Sequence, residues 1–235
     1  ISKNQPVESL IISKNKSSTN SIIDQNRILV AIGTSTGGVD ALRHIFSTCS
    51  AASPPILVSI HMPASFILRL VQQLQTHTEM NVDVAKEGEL LEKGMVRISP
   101  AGKVFMGVYR QENMIYTTLH LVSYLSALWK EREYERYNPS IDYMFDCLAC
   151  ICPQQTVGVI LTGMGSDGVL GLSHLRKNGG YTLCQDQDSS VVYGMPKRAW
   201  EEGAAMKEVS LENMTNEIHN SVSILQEQYG FQVPL

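Results

Sequence analysis

The sequence predicts an α/β domain: a doubly wound, mostly parallel sheet with a short antiparallel extension and helices on both faces. Two observations carry this. From Arg27 onward, apolar runs of strand length alternate with amphipathic stretches, the pattern of strands joined by helical crossovers. In addition, three of the apolar runs end in short polar or Gly-rich turns, as strands of an open α/β sheet do where they meet the crevice at their carboxyl ends. A chain of 235 residues with 43% hydrophobic content can bury a core of this kind in one domain.

The elements follow in order. Residues 1–26 are rich in Ser, Asn, Lys and Gln with little apolar periodicity, the composition of a linker unable to build its own core. A strand at 28–32 runs through a Gly-rich turn into a helix from Val39 to about Thr48, with Leu42, Ile45 and Phe46 on one face. A strand at 56–60 precedes a helix from Ser65 to Gln75, with Phe66, Leu70 and Leu74 on its expected buried side. Residues 81–120 hold short alternating runs separated by Gly and Asn, which read as the antiparallel extension. A helix from Ser140 to Cys150 leads to a strand at 156–161, a Gly-rich loop and a helix near 170–177. A strand at 181–185, a short helix after Pro196, a strand near 207–209 and a terminal helix opened by Ser210 complete the domain at 27–235.

Composition excludes several classes. A net charge of -4 and no basic cluster interleaved with aromatics give no footprint for nucleic acid. No apolar run reaches the length needed to cross a bilayer, and the start lacks the apolar core of a secretory signal, so a cytoplasmic protein without membrane insertion is expected. Five cysteines without a disulfide-like framework fit a reducing compartment. Cys147, Cys150 and Cys152 lack a second pair to complete a tetrahedral metal site and read as buried thiols, so no metal is expected there. The charged run 130–136 reads as a solvated face. The Ile at position 1 reads as the start of a piece cut from a longer protein.

Three strands each deliver one chemically useful residue: Ser35, His61 and Asp167. Gly33-Thr-Ser-Thr-Gly37 fits G-x-S-x-G, where small neighbours permit the tight strand-to-helix turn that presents a hydroxyl. By pattern alone, a turn that starts a helix or binds a phosphate through its N–H groups fits equally. His61, directly after a strand and before Met62-Pro63, can take a Ser proton and return it near neutral pH. The other histidines, His44, His77, His120, His174 and His219, are expected to face solvent. Asp167 sits in a loop of small side chains and would hold the imidazole tautomer. Together these read as the triad of a serine hydrolase. A second pattern competes: Gly163-Met-Gly-Ser-Asp-Gly168 satisfies G-x-G-x-x-G, with Asp186 at a distance suited to a ribose hydroxyl. Against it, Asp167 would repel a pyrophosphate, and Ser35 and His61 would be left unexplained.

Ala31-Ile-Gly-Thr-Ser-Thr-Gly-Gly38, His61-Met-Pro63, Pro139-Ser-Ile-Asp142, Val159-Ile-Leu-Thr-Gly-Met-Gly-Ser-Asp-Gly168 and Val191-Val-Tyr-Gly-Met-Pro196 together resemble the catalytic domain of the chemotaxis protein-glutamate methylesterases, the CheB family. The resemblance runs over about residues 27–220. It implies a triad of Ser35, His61 and Asp167, with the Met164 backbone N–H at the oxyanion position and Thr36 beside the nucleophile. It also implies glutamate γ-methyl esters on chemoreceptor cytoplasmic helices as substrate, methanol as product, and no cofactor. Some members of the family also deamidate receptor glutamines. Members normally carry an N-terminal receiver domain, of which residues 1–26 would be the remaining linker. The sequence departs from the family before Pro139: Tyr137 and Asn138 stand where a His and a basic residue are usual, and Leu119 to Tyr137 is rich in Leu, Tyr and Glu.

Overall fold

The computed structural model describes residues 28–102, 104–121 and 138–229. The 1–26 linker, the charged run 130–136 and Tyr137 lie outside the described residues. The strands are β1 (Leu29–Thr34), β2 (Ile56–Ile60), β3 (Asn81–Val84), β4 (Met95–Ile98), β5 (Val104–Gln111), β6 (Met114–Leu121), β7 (Thr156–Ile160), β8 (Tyr181–Gln185) and β9 (Lys207–Val209). The helices are α1 (Gly38–Phe46), α2 (Ala64–Gln75), α3 (Ile141–Ile151), α4 (Val169–Lys177), α5 (Met195–Glu201) and α6 (Leu211–Gln228).

Seven strands form one parallel sheet in the order β3-β4-β2-β1-β7-β8-β9. Period-two alternation sends neighbouring residues of β1 to opposite faces. Val30 and Ile32 enter a core with α1, α2 and α6, whereas Leu29 and Ala31 enter one with α3, α4 and α5. The sheet is therefore wound on both sides. From β1 the chain moves to β2 on one flank, and later elements return to β7 on the other. That reversal opens a crevice beyond the carboxyl end of β1, the place where ligands bind in open α/β sheets.

The antiparallel part is β5 and β6, a separate two-stranded hairpin turning at Glu112 and Asn113. Phe105 of the hairpin packs on Tyr143 of α3, with ring centroids 5.4 Å apart. The runs at 81–84 and 95–98, expected to belong to that antiparallel part, instead pair in parallel with each other, and the second also pairs in parallel with β2. Alternation reports which face of a run is buried and carries no information on the direction of its neighbour.

Phe66 is a second difference, since it is 51% exposed while Ile67, Leu70 and Leu74 form the buried stripe of α2. Phe66 and Leu70 are four residues apart, yet the spacing 67, 70, 74 centres the face one position further round. Ser210 stands at the N-cap of α6 without a side-chain cap bond, and its hydroxyl accepts from the Asn213 side chain instead.

Candidate active site

The parallel register brings the three post-strand positions together. Thr34 lies opposite Ile60, and Gly33 opposite Ile160. The ladder then continues past each strand: His61 N donates to Thr34 O at 3.1 Å, Leu161 N to Gly33 O at 2.9 Å, and Ser35 N to Thr162 O at 3.1 Å. Ser35 is thus fixed at the centre of the crevice, with His61 one strand away and the 161–168 loop on the other side.

Two glycines make the turn that carries Ser35 possible. Gly37 is the N-cap of α1 at φ 84, a left-handed conformation that side chains rarely adopt. Gly163 lies against Ser35, where an added Cβ would stand 2.8 Å from Ser35 Cβ. Any side chain at Gly163 would displace the residue it faces.

His61 and Asp167 are joined directly, Nε2 to Oδ2 at 2.7 Å. The carboxylate is almost wholly buried and the imidazole 17% exposed. A buried carboxylate needs donors, and α3 supplies them: Ile141 N donates to Oδ2 at 2.8 Å and Asp142 N to Oδ1 at 3.0 Å, with Ser140 Oγ at 3.5 Å. These are the free N–H groups of a helix start, where the dipole also favours negative charge.

Met164 follows Gly163 directly, with its side chain 74% exposed at the rim of the crevice. Thr36 is exposed in the same turn as Ser35, and its carbonyl accepts from Thr162 Oγ1 at 3.0 Å. Thr162 carries no distinguishing signal in the sequence, yet it joins three loops. Its carbonyl accepts from Ser35 N and from the Thr34 hydroxyl, its hydroxyl accepts from Val192 N at 2.9 Å, and its N–H donates to buried Gln185 Oε1 at 2.9 Å. The Val191-Val-Tyr-Gly-Met-Pro196 motif acquires its purpose from the same stitching: Gly163 N donates to Val192 O, and Gly163 O accepts from Met195 N.

The dinucleotide reading fails on these contacts. The first turn of α4, where a pyrophosphate would sit, already faces a carboxylate, since Gly171 N donates to Asp142 Oδ1 at 2.8 Å. Asp186 is occupied within its own loop, accepting from Ser189 N at 3.0 Å and from Ser189 Oγ.

Two histidines expected to face solvent do not. His120 lies in β6 and bonds the Tyr143 hydroxyl, and half-buried His174 pairs through Nδ1 with Asp146 Oδ1 at 2.5 Å. Cys147 and Cys152 are buried, with thiols pushed by desolvation to about 12 and about 11, whereas Cys150 is exposed. Among the described residues, no three His, Cys, Asp or Glu side chains are grouped so as to hold a metal ion, and no helix is long and apolar enough to cross a membrane.

The model of the CheB methylesterase family matches residues 30–218. The chain belongs to the CheB methylesterase family. A protein-glutamate methylesterase/protein-glutamine glutaminase of Caulobacter vibrioides is 40% identical over 190 residues, covering 81% of this chain and 52% of the relative. A namesake from Treponema denticola is 35% identical over 192 residues, covering 81% and 49%. The CheB methylesterase catalytic domain of Thermotoga maritima superposes with a TM-score of 0.74 at 31% identity, covering 84% of this chain and 98% of that one. The chain spans about half the length of the curated relatives it matches.

Proposed function

We propose that this domain is a protein-glutamate methylesterase working through Ser35, His61 and Asp167. The observation that supports this most directly is the 2.7 Å His61–Asp167 pair at the end of the strand beside Ser35. Because Nε2 faces the carboxylate, Nδ1 is the ring nitrogen assigned to the base. It takes the Ser35 proton as Oγ attacks the ester carbonyl, and Asp167 holds the tautomer and stabilises the imidazolium. The tetrahedral oxyanion is received by backbone N–H groups, Met164 first among them, each such donor contributing about 3 kcal/mol in related chemistry. Proton return to the leaving oxygen releases methanol. Water then attacks the glutamyl-enzyme by the same route and restores Ser35.

The substrate we assign is the glutamate γ-methyl ester of chemoreceptor helices, which lie in the cytoplasm. Amide hydrolysis at receptor glutamines would follow the same steps, with ammonia leaving. The relatives' names supply both activities. Asn138, at one of the positions that departs from the family, accepts from Gly102 N at 2.9 Å and holds the loop before the hairpin.

Incubation of the domain and its Ser35→Ala variant with methyl-labelled receptor fragments tests the proposal. Methanol released by the parent and lost in a folded variant is the expected result. Substantial release by the variant would remove Ser35 as nucleophile, and none from a folded parent would remove the esterase.

A further inference from the structure

Helix α4 starts without a side-chain cap of its own and α3 with a single one from Ser140, and the start of each is completed by an acid belonging to the other. Helix α4 begins after Gly168, which has no side chain to accept from the first turn. Its Gly171 N–H is taken by Asp142 Oδ1 of α3 at 2.8 Å. In return, the N–H groups of Ile141 and Asp142 at the start of α3 are taken by Asp167, in the loop that leads into α4. Asp142 therefore acts at both ends of the exchange: its backbone holds the Asp167 carboxylate, and its side chain holds the helix that fixes the Asp167 loop.

From this reciprocal capping we infer that Asp142 is a positioning residue for the reaction, setting the Asp167 carboxylate, and through it the His61 ring, in the geometry that turnover requires. The inference rests on the esterase reading above for its kinetic consequence and on contacts alone for its structural one. Misplacing a reacting group by an ångström can cost about a hundredfold in rate, and the 161–168 loop carries both Asp167 and Met164. Loosening the clamp therefore acts on the reaction step more than on substrate binding.

The surroundings of Asp142 support a second readout. Its carboxyl is pushed up to about 7, first by desolvation and then by the charge of Asp167, with Asp146 adding to the rise and the N–H groups of Gly171 and Gly168 opposing it. The titratable groups around it are Asp167 with its partner His61, and Asp146 one turn along α3 with its partner His174 from α4. Ionisation of Asp142 thus places a second negative charge beside the Asp167 carboxylate.

Three proteins test the inference: parent, Asp142→Ala, and Asp142→Asn, whose amide oxygen can still accept from Gly171. Folded Asp142→Ala should lose about tenfold or more in kcat with little change in KM, and Asp142→Asn should recover most of that loss. Nuclear magnetic resonance titration of the parent should show a shared inflection in the Gly171 amide and His61 ring signals that disappears in Asp142→Asn. Parental kcat in folded Asp142→Ala would overturn the inference. Should that variant not fold, a Gly171 inflection without any Asp142-dependent response at His61 would overturn it equally. A parent that releases no methanol would refute the esterase reading, while the resonance titration would still decide the coupling.

Discussion

Two histidine–carboxylate pairs lie among the described residues, and comparing them shows what a hydrogen bond alone does not specify. His61–Asp167 and His174–Asp146 are both short, at 2.7 and 2.5 Å, and both combine a nearly buried acid with a partly exposed ring. Their settings differ. The first spans two strand ends in the crevice, beside a hydroxyl on the intervening strand end and a Gly-lined loop. The second joins the interior of α3 to the last turn of α4, where neither helix end nor strand end offers a nucleophile turn. His174 satisfies a carboxylate that packing has buried, whereas in the proposed function Asp167 orients the ring assigned as the base. Position relative to the strand ends separates them.

Exchanging the two acids for amides breaks the comparison most sharply. In Asp167→Asn, the amide nitrogen facing His61 Nε2 selects the tautomer with a proton on Nδ1, leaving no base for Ser35. A roughly ten-thousandfold fall in kcat is expected from such a tautomer change. Asp146→Asn at the second pair should leave the rate near the parent's and lower stability by about 1 kcal/mol. Methanol release and denaturant unfolding on the same two variants check this, and a large rate loss in Asp146→Asn would make the second pair part of the reaction.

Asp142 lies between the pairs and should leave its mark on stability as a function of pH. The folded domain holds its carboxyl up to about 7, against a value of about 3.9 for an unfolded aspartate. Between those limits the folded state binds the proton more tightly. Raising pH through this window therefore withdraws stability from the parent. Asp142→Asn has no such proton to lose, so its stability relative to the parent should rise from pH 4 to pH 8. Calorimetric melting of both proteins across that range measures the trend. A difference that stays flat or falls would mean that Asp142 is ionised throughout.

Much of this was legible in the sequence. Ser35, His61 and Asp167 stand out because apolar runs end just before them, and strand ends in an open sheet share one crevice. The helices and most strands are equally plain, since burial alternates with the period of each element. What stayed hidden arises from contacts between elements distant in the chain. Thr162 and Gln185 look like ordinary polar residues until the sheet register brings the Thr162 carbonyl to Ser35 N, its hydroxyl to Val192 N and its N–H to Gln185 Oε1. Asp142 belongs to a recognisable motif, but its task depends on where α4 begins. His174 resembles a surface histidine because only the packing of α3 on α4 sets Asp146 opposite it. The parallel direction of β3 and β4 was hidden for the same reason.

The smallest expected effect sharpens the distinction between holding a helix and holding an acid. Ser140 does both: its Oγ accepts from Tyr143 N at 3.2 Å as the N-cap of α3, and it lies 3.5 Å from Asp167 Oδ1. The first is a normal cap bond, and its loss in Ser140→Ala should lower stability by about 1 kcal/mol. The second is at the outer limit of hydrogen bonding, and Asp167 keeps its shorter bonds to the N–H groups of Ile141 and Asp142. The variant should therefore melt earlier while its kcat falls far less than in Asp167→Asn. If kcat instead collapsed with little change in melting, the hydroxyl and not the helix backbone would be what sets the acid.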